Sequence, residues 1–233
     1  MKRVLVKRFS EPPKSTRVLV VGLPGLGLVG ATAAKILLSV EDGQKAKLIA
    51  RFHPYIFLRG TYANRSGTVS IQGASMRYRS LTKFPEGLLI LTANSQPSPE
   101  FQHEFAWSVL GEAKRFGCDS VITLGAYQTM SAVPRRVYFC ANDLSSYKTA
   151  SKLGLESFDG QVTGAAGVFA GIGRLLGFSG GCMLGEIAGE SFPDVPAASA
   201  VVSALLAFLT QGSESEYPNR TQNTRKGFMD NLS

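Results

Sequence analysis

The chain of 233 residues is predicted to adopt an α/β fold, in which helices cover both faces of a mixed, mostly parallel sheet. Short apolar runs at residues 18–21, 88–92 and 120–124 are typical of central strands that are covered on both faces. Segments with helical periodicity separate these runs, and such alternation favours a three-layer α/β/α sandwich. We expect one domain over residues 1–212 and a polar, mobile tail over residues 213–233.

The first third of the chain predicts three strands, one helix and a hairpin. A short strand at residues 4–6 precedes a second strand, a glycine turn and a helix, which together span residues 18–38. Residues 47–52 predict a third strand. Residues 67–79 alternate between apolar and polar side chains around Gln72-Gly73, which predicts a small inserted β-hairpin.

The remainder alternates between helices and strands. Ser98 and Pro99 predict the start of a helix whose buried stripe is Phe101, Phe105, Val109 and Ala113. The later segments follow in order: a strand at 137–141, helices at 145–153 and 163–176, a strand at 180–187, and a last helix that Asp194 caps.

The charge is modest in amount and uneven in position. Charged residues make up 18% of the chain, its hydrophobic residues make up 44%, and its net charge is +8. Six basic residues and one acidic residue lie within the first 17 positions. No interleaved aromatic platform accompanies this charge, so a solvated terminal segment is favoured over a nucleic-acid site.

The cysteines and the apolar run near the start indicate where in the cell the protein is expected. Cys118, Cys140 and Cys182 are odd in number and widely spaced, which is typical of reduced core thiols in a cytoplasmic protein. The uncharged run at residues 18–34 contains Pro24 and four glycines. It is therefore a poor secretion signal and a poor membrane span.

The glycine turn contains a literal G-x-G-x-x-G at Gly25, Gly27 and Gly30, preceded by Gly22. A dinucleotide site also needs an acidic residue at the end of the next strand, and that strand ends in Arg51-Phe52-His53. Pro24 removes one backbone donor from the turn. We therefore expect no nucleotide or other cofactor, and glycines that serve packing or an interface.

Catalytic and metal motifs are also missing. The pair His103-Glu104 lacks the second histidine of a zinc helix, since Trp107 stands in its place, and no Cys-x-x-Cys or Gly-x-Ser-x-Gly occurs. Glu186 stands at the end of the late strand, at the sheet edge where an acid–base residue could act, but hydrogen bonds to loop amides are favoured. No catalytic residue and no metal ligand is predicted.

Several segments together resemble the proteasome assembly chaperone family, in its archaeal branch. The resemblance covers about residues 15–210 and rests on GLPGLGLVGATAAKIL, LILTANSQP, VITLGAY, VTGAAG and MLGEIAGESFPDVPAA, in that order. The matching motif residues are Gly22, Pro24, Gly25, Gly27, Gly30, Gly125, Thr163, Gly164, Glu186, Pro193 and Asp194.

The resemblance implies an α/β/α sandwich similar to purine nucleoside phosphorylases, without catalytic residues. It implies a homo-oligomeric protein that binds proteasome subunits or assembly intermediates. Family members that dock on the proteasome often end in a hydrophobic-Tyr-any tripeptide; this chain ends in Asn231-Leu232-Ser233, so docking in that form is not expected. Candidate contacts at the sheet edge are Leu23, Leu26, Tyr127 and Phe192, each of which could instead be buried.

Two other functions remain open. The fold implied by the resemblance, together with Glu186, would suit a phosphorylase-like or hydrolase-like enzyme that acts on a nucleoside or similar small molecule. The basic first 17 residues would suit a nucleic-acid-binding accessory protein. The ordered motifs favour the chaperone interpretation over both.

Overall fold

A computed structural model describes residues 4–39, 45–54, 61–63, 65–71, 73–82, 84–129, 136–189 and 192–214 of the protein. The strands are β1 (Val4–Arg8), β2 (Val18–Gly22), β3 (Lys47–Pro54), β4 (Thr61–Ala63), β5 (Val69–Ile71), β6 (Ala74–Leu81), β7 (Phe84–Ala93), β8 (Ser120–Gln128), β9 (Val137–Ala141), β10 (Glu156–Ser157) and β11 (Ser179–Ile187). The helices are α1 (Val29–Ser39), α2 (Gln102–Arg115), α3 (Leu144–Lys152), α4 (Gly164–Leu175) and α5 (Val195–Glu214).

Nine of the strands form one mixed sheet in the order β1-β3-β6-β7-β2-β8-β11-β9-β10. The four central strands β7, β2, β8 and β11 are parallel, and β9 and β10 are parallel to each other. The other four neighbouring pairs are antiparallel. The α/β fold with a mixed sheet is confirmed, but the sheet is mostly parallel only at its centre, because β1, β3 and β6 form an antiparallel wing.

The sheet separates two apolar cores. Leu19 and Val21 of β2 pack in one core with side chains of α2 and α4. Val18 and Val20 pack in the other core with side chains of α1 and α5. Successive side chains of a strand point to opposite faces, so a wholly apolar β2 buries residues on both sides. This arrangement gives the predicted three layers.

The hairpin predicted at residues 67–79 is wrong. Val69–Ile71 pair with Thr61–Ala63 in a separate two-stranded sheet. Ala74–Leu81 instead form β6, which lies between β3 and β7 in the main sheet. The alternating pattern of this segment is that of a strand, but its hairpin partner is β7, which begins at Phe84, and its other neighbour is β3.

The helix starts differ in how they are capped. Ser98 precedes a 3₁₀ turn at Pro99–Phe101 and its side chain caps nothing, contrary to the prediction. Asp143, which the sequence reasoning did not single out, caps α3 by accepting a hydrogen bond from the Ser146 amide at 2.9 Å. The last helix extends to Glu214, two residues past the expected domain end, and residues 215–233 of the predicted tail lie outside the described residues.

The three cysteines are thiols without disulfides. Burial raises the pKa of Cys118 and Cys182 to about 12 and that of Cys140 to about 11. Thiols with such pKa values are poor nucleophiles near neutral pH, because the reactive form is the thiolate.

In the described part of the chain, no helix combines the length and the apolar character that a membrane crossing requires.

Candidate functional site

The carboxyl ends of the parallel strands meet at one edge of the sheet. The glycine turn follows β2, a loop at residues 94–98 follows β7, and residues 188–194 follow β11. In α/β sheets this edge is where ligands and partners usually bind, because the loops there are less constrained than the strands. The predicted motif residues are concentrated at this edge.

Two glycines of the turn allow α1 to lie close to the sheet. A Cβ atom on Gly30 would stand 2.2 Å from the Leu124 carbonyl oxygen, and one on Gly22 would stand 2.3 Å from the Gly30 carbonyl oxygen. Backbone atoms cannot give way as a side chain can. These contacts support the packing interpretation of the glycines.

Gly27 has a different role. Its φ is +56°, a value that favours glycine, and it lies within the 3₁₀ turn Leu26–Leu28. The carbonyl oxygen of Gly27 accepts a hydrogen bond of 2.8 Å from the Asp194 amide. The turn after β2 is thereby tied to the loop after β11.

Asp194 also starts the last helix, as predicted. Its carboxylate accepts a hydrogen bond of 3.0 Å from the Ala197 amide, and the residue is buried. A buried carboxylate that caps a helix satisfies an amide that would otherwise lack a partner. Pro193, immediately before it, is exposed.

Gln96 joins three segments at this edge, and the sequence reasoning did not single it out. Its Nε2 donates to the Pro24 carbonyl oxygen of the glycine turn. Its Oε1 accepts from the Ala165 amide at 3.4 Å and from Gln102 Nε2 at 3.3 Å. Gln96 therefore holds Pro24 and Gly25 next to the first turn of α4.

A cleft of about 430 Å³ lies beside the turn. It is lined by uncharged residues from the glycine turn, the end of β8 and the segment before α4, among them Leu26, Gln96, Gln128, Gln161 and Thr163. Thr163 is exposed, while Gly164 is half-buried and has a φ of +74°. A cleft whose described lining residues carry no charge is poorly suited to acid–base chemistry on a substrate.

An aromatic cluster forms one wall of the cleft. The Tyr127 ring meets Phe158 edge-on at 5.0 Å and Tyr138 at 5.4 Å between ring centroids. Gly125, two residues before Tyr127, leaves room for Leu184, which a Cβ atom there would approach to 3.0 Å. The cluster fixes Tyr127 while leaving 39% of it exposed.

The four candidate contact residues differ in exposure. Leu26 is 54% exposed and Phe192 is 75% exposed, whereas Leu23 is buried. Val195, which sequence reasoning missed, is 47% exposed and begins α5 three residues after Phe192. We call Leu26, Phe192 and Val195 the apolar rim. The hydrogen bond between Gly27 and Asp194 brings its two loops together.

Glu186 is a buried carboxylate held by one arginine and a threonine. It accepts hydrogen bonds from Arg136 Nη2 at 3.0 Å, from the Arg136 amide at 3.2 Å and from the Thr129 hydroxyl at 2.9 Å. The hydrogen bond from the Arg136 side chain is the main reason that the pKa of Glu186 falls to about 2. The expected bond to a loop amide is present.

This environment does not favour general acid catalysis. A carboxyl group with a pKa near 2 is ionised at neutral pH and has no proton to give. Glu186 also does not line the cleft. Among the described residues, no group of three His, Cys, Asp or Glu side chains could hold a metal ion.

A family model and a sequence relative both match most of the chain. The model of the PAC2 family matches residues 19–221. An uncharacterized protein of Methanocaldococcus jannaschii is 26% identical over 209 residues, which cover 87% of this chain and 78% of that protein.

Solved structures share the fold. Pyrococcus furiosus PbaB, an archaeal proteasome activator, has a TM-score of 0.78 and 28% identity, with 90% of each chain covered. P. furiosus PbaA, an archaeal homologue of proteasome-assembly chaperone, has a TM-score of 0.71 and 22% identity, covering 88% of this chain and 85% of PbaA. A Mycobacterium tuberculosis proteasome-assembly chaperone homologue has a TM-score of 0.67 and 18% identity, covering 84% of this chain and 91% of that one.

Proposed function

The chain belongs to the PAC2 family, and from that premise we propose that it is a non-enzymatic assembly chaperone or activator that binds proteasome subunits. The observation that carries the proposal is the 28% identity to PbaB over 90% of both chains. The other two structures named above are too distant in sequence to add more than the fold. The cleft, whose described lining residues are uncharged, and the ion-paired Glu186 favour binding over catalysis.

The apolar rim is the proposed contact surface. Leu26 and Phe192 are large apolar side chains that are mostly exposed, and they belong to loops joined by a backbone hydrogen bond. A surface that is already ordered loses less conformational entropy on binding than a mobile one. Burial of exposed apolar side chains supplies much of the favourable free energy of protein association.

The proposal also includes homo-oligomerisation and a cytoplasmic location. A charged fraction of 18% and exposed apolar side chains suit a protein that associates with copies of itself as well as with partners. Three cysteines without disulfides suit the reducing cytoplasm. Homo-oligomerisation is checked by light scattering on the purified full chain, where a mass equal to one protomer would contradict it.

The test of function is binding to purified proteasome α subunits and to the assembled core particle from the same organism. The full chain is mixed with each, and complexes are followed by native electrophoresis while peptide hydrolysis is recorded. We expect a complex with at least one of them, together with faster assembly or faster hydrolysis. Failure to bind either at micromolar concentration would overturn the proposal.

A matched pair of variants tests the surface. Leu26→Asp combined with Phe192→Asp should weaken binding by about tenfold or more, because charges replace the apolar contacts. The control is Leu144→Asp combined with Leu175→Asp, since both side chains are exposed and both lie near the start of β11, at the opposite edge of the sheet. Equal loss in both variants would argue against the apolar rim while leaving subunit binding intact.

A further inference from the structure

A second surface lies on the antiparallel wing, away from the carboxyl edge. Val6 and Phe52, which are paired in register, face the core that contains α2. The neighbouring pairs Lys7 with Arg51 and Leu5 with His53 therefore face the other way. Leu5 is 65% exposed, so this side of the wing is open at β1.

The helices on that side pack mainly on other strands, although β6 is covered toward its carboxyl end, where Arg79 is buried. Helix α1 packs on β7, β2 and β8, and α5 packs on β11 and β9. Arg77 of β6 is paired with Ile90 of β7, which lies in the core under α1, so Arg77 belongs to the same side of the sheet. We call Leu5, Lys7, Phe9, Arg51 and Arg77 the basic sheet face.

Its charges are close together, and the described part of the chain offers them no acidic partner. The Lys7 ammonium lies 5.4 Å and the Arg51 guanidinium 5.5 Å from the Phe9 ring centroid. Burial, and then the charge of Arg51, lowers the pKa of Arg77. Within the described residues, no carboxylate forms an ion pair with these three cations.

On the opposite face of β1, a cation does have a carboxylate partner. Arg8 points toward α2 and its Nε donates to Glu112 Oε2 at 2.7 Å. Arg8 is thus paired with a carboxylate, whereas its neighbour Lys7 lies next to other positive charges. A negative charge placed on the basic sheet face would relieve that repulsion.

Three kinds of occupant can be compared. A second copy that docks through the same face would bring two sets of positive charge together. A nucleic acid would place its phosphates on the cations but would leave the exposed Leu5 without an apolar partner. A protein segment that carries carboxylates beside apolar side chains matches both the cations and the exposed Leu5 and Phe9.

We propose that the basic sheet face is a docking surface for an acidic protein segment in which carboxylates alternate with apolar side chains. The basic sheet face is separate from the apolar rim. The proposal therefore holds whichever partner binds to the apolar rim. The cations select the carboxylates, and Leu5 and Phe9 contribute apolar contact area.

The probe is a fluorescein-labelled peptide of repeated Glu-Leu-Glu-Gly units, and its binding to the full chain is followed by fluorescence anisotropy. Lys7→Glu combined with Arg51→Glu should weaken binding by about tenfold or more, because attraction becomes repulsion. The control is Lys148→Glu combined with Lys152→Glu, which changes the net charge equally on the exposed side of α3. The control should change the affinity less than about twofold.

Leu5→Ser separates a docking surface from a general attraction for polyanions. It should weaken peptide binding about threefold or more without changing the charge. Equal losses in the two double variants, or no effect of Leu5→Ser, would overturn the proposal. So would tighter binding of an oligouridylate of matched charge, or self-association that Arg51→Glu abolishes. Circular dichroism of each variant establishes that it is folded.

Discussion

At the scale of single residues, Glu186 shows how a motif residue can be structural. Its side chain is 1% exposed, while that of its partner Arg136 is 46% exposed. The arginine also approaches Glu156 at 3.3 Å and lies over Tyr138 at 5.5 Å from the ring centroid. One arginine thereby joins β11, β10 and the aromatic cluster behind the cleft.

Glu186→Gln should destabilise the protein by about 1–3 kcal/mol at pH 7, because a buried partner of Arg136 loses its charge. Urea unfolding followed by circular dichroism measures the difference. Glu156→Gln is the control on the same arginine, and its cost should stay below about 0.5 kcal/mol because that pair is exposed. Equal costs for both variants would contradict the structural role of Glu186.

The stabilisation that Glu186 contributes should decrease as the pH falls. Folding lowers the pKa of Glu186 from its ordinary value of 4.5 to about 2. The stabilisation is therefore complete above about pH 4.5 and is lost as the pH falls toward about 2. Stabilities of the native protein and Glu186→Gln should converge over this interval, and a constant difference down to pH 2 would show that another interaction is responsible.

The two residues that organise the edge carry no recognisable pattern. Gln96 bonds to backbone groups of Pro24 and Ala165, and any amide side chain in a loop could have done the same. Arg136 lies 50 residues from Glu186. Such partners depend on tertiary placement, which neither spacing nor composition encodes.

At the scale of elements, the turn and helix after β2 depend on the size of one residue. Gly30→Ala would place a methyl group against the Leu124 carbonyl, since the Cβ position is 2.2 Å from that oxygen. Helix α1 would have to move away from β8. We expect a loss of about 2 kcal/mol or more in the free energy of unfolding, measured by thermal or urea unfolding.

Gly171→Ala is the matched control, because it is also a helical glycine and nothing lies within 4 Å of its Cβ position. Alanine has the better helix propensity, so this variant should be neutral or more stable by about 0.5–1 kcal/mol. A similar loss in both variants would mean that helix propensity, and not the contact with β8, controls the result.

The sequence was informative about the elements that are buried on both sides. The apolar runs of β2, β7 and β8 and the glycine turn allow few alternatives, and they were predicted correctly. In the antiparallel wing, β1 and β3 were also predicted as strands, but the pairing of β6 was not. In β6, Met76 and Tyr78 alternate with Arg77 and Arg79, and this pattern indicates one buried face without naming the partner strand.

At the scale of the whole molecule, stability should fall from the centre of the sheet to its edges. Strands β2, β8 and β11 each have two neighbours in the sheet. Strand β10 has two residues and stands at one end of the strand order. Amides in β2 and β8 should exchange with solvent about a thousandfold or more slower than those of β10, measured by hydrogen exchange and mass spectrometry. Equal rates would contradict this gradient.

The packing of α1 against α5 has a consequence for synthesis. Both helices belong to one core, yet they are far apart in sequence. Helix α1 follows β2, and α5 is the last element of the described chain. A ribosome releases the chain from its first residue, so the apolar side of α1 stays uncovered until α5 emerges. A nascent chain halted before residue 195 would present that surface to other proteins. This core can therefore close only after the residues of α5 have left the ribosome.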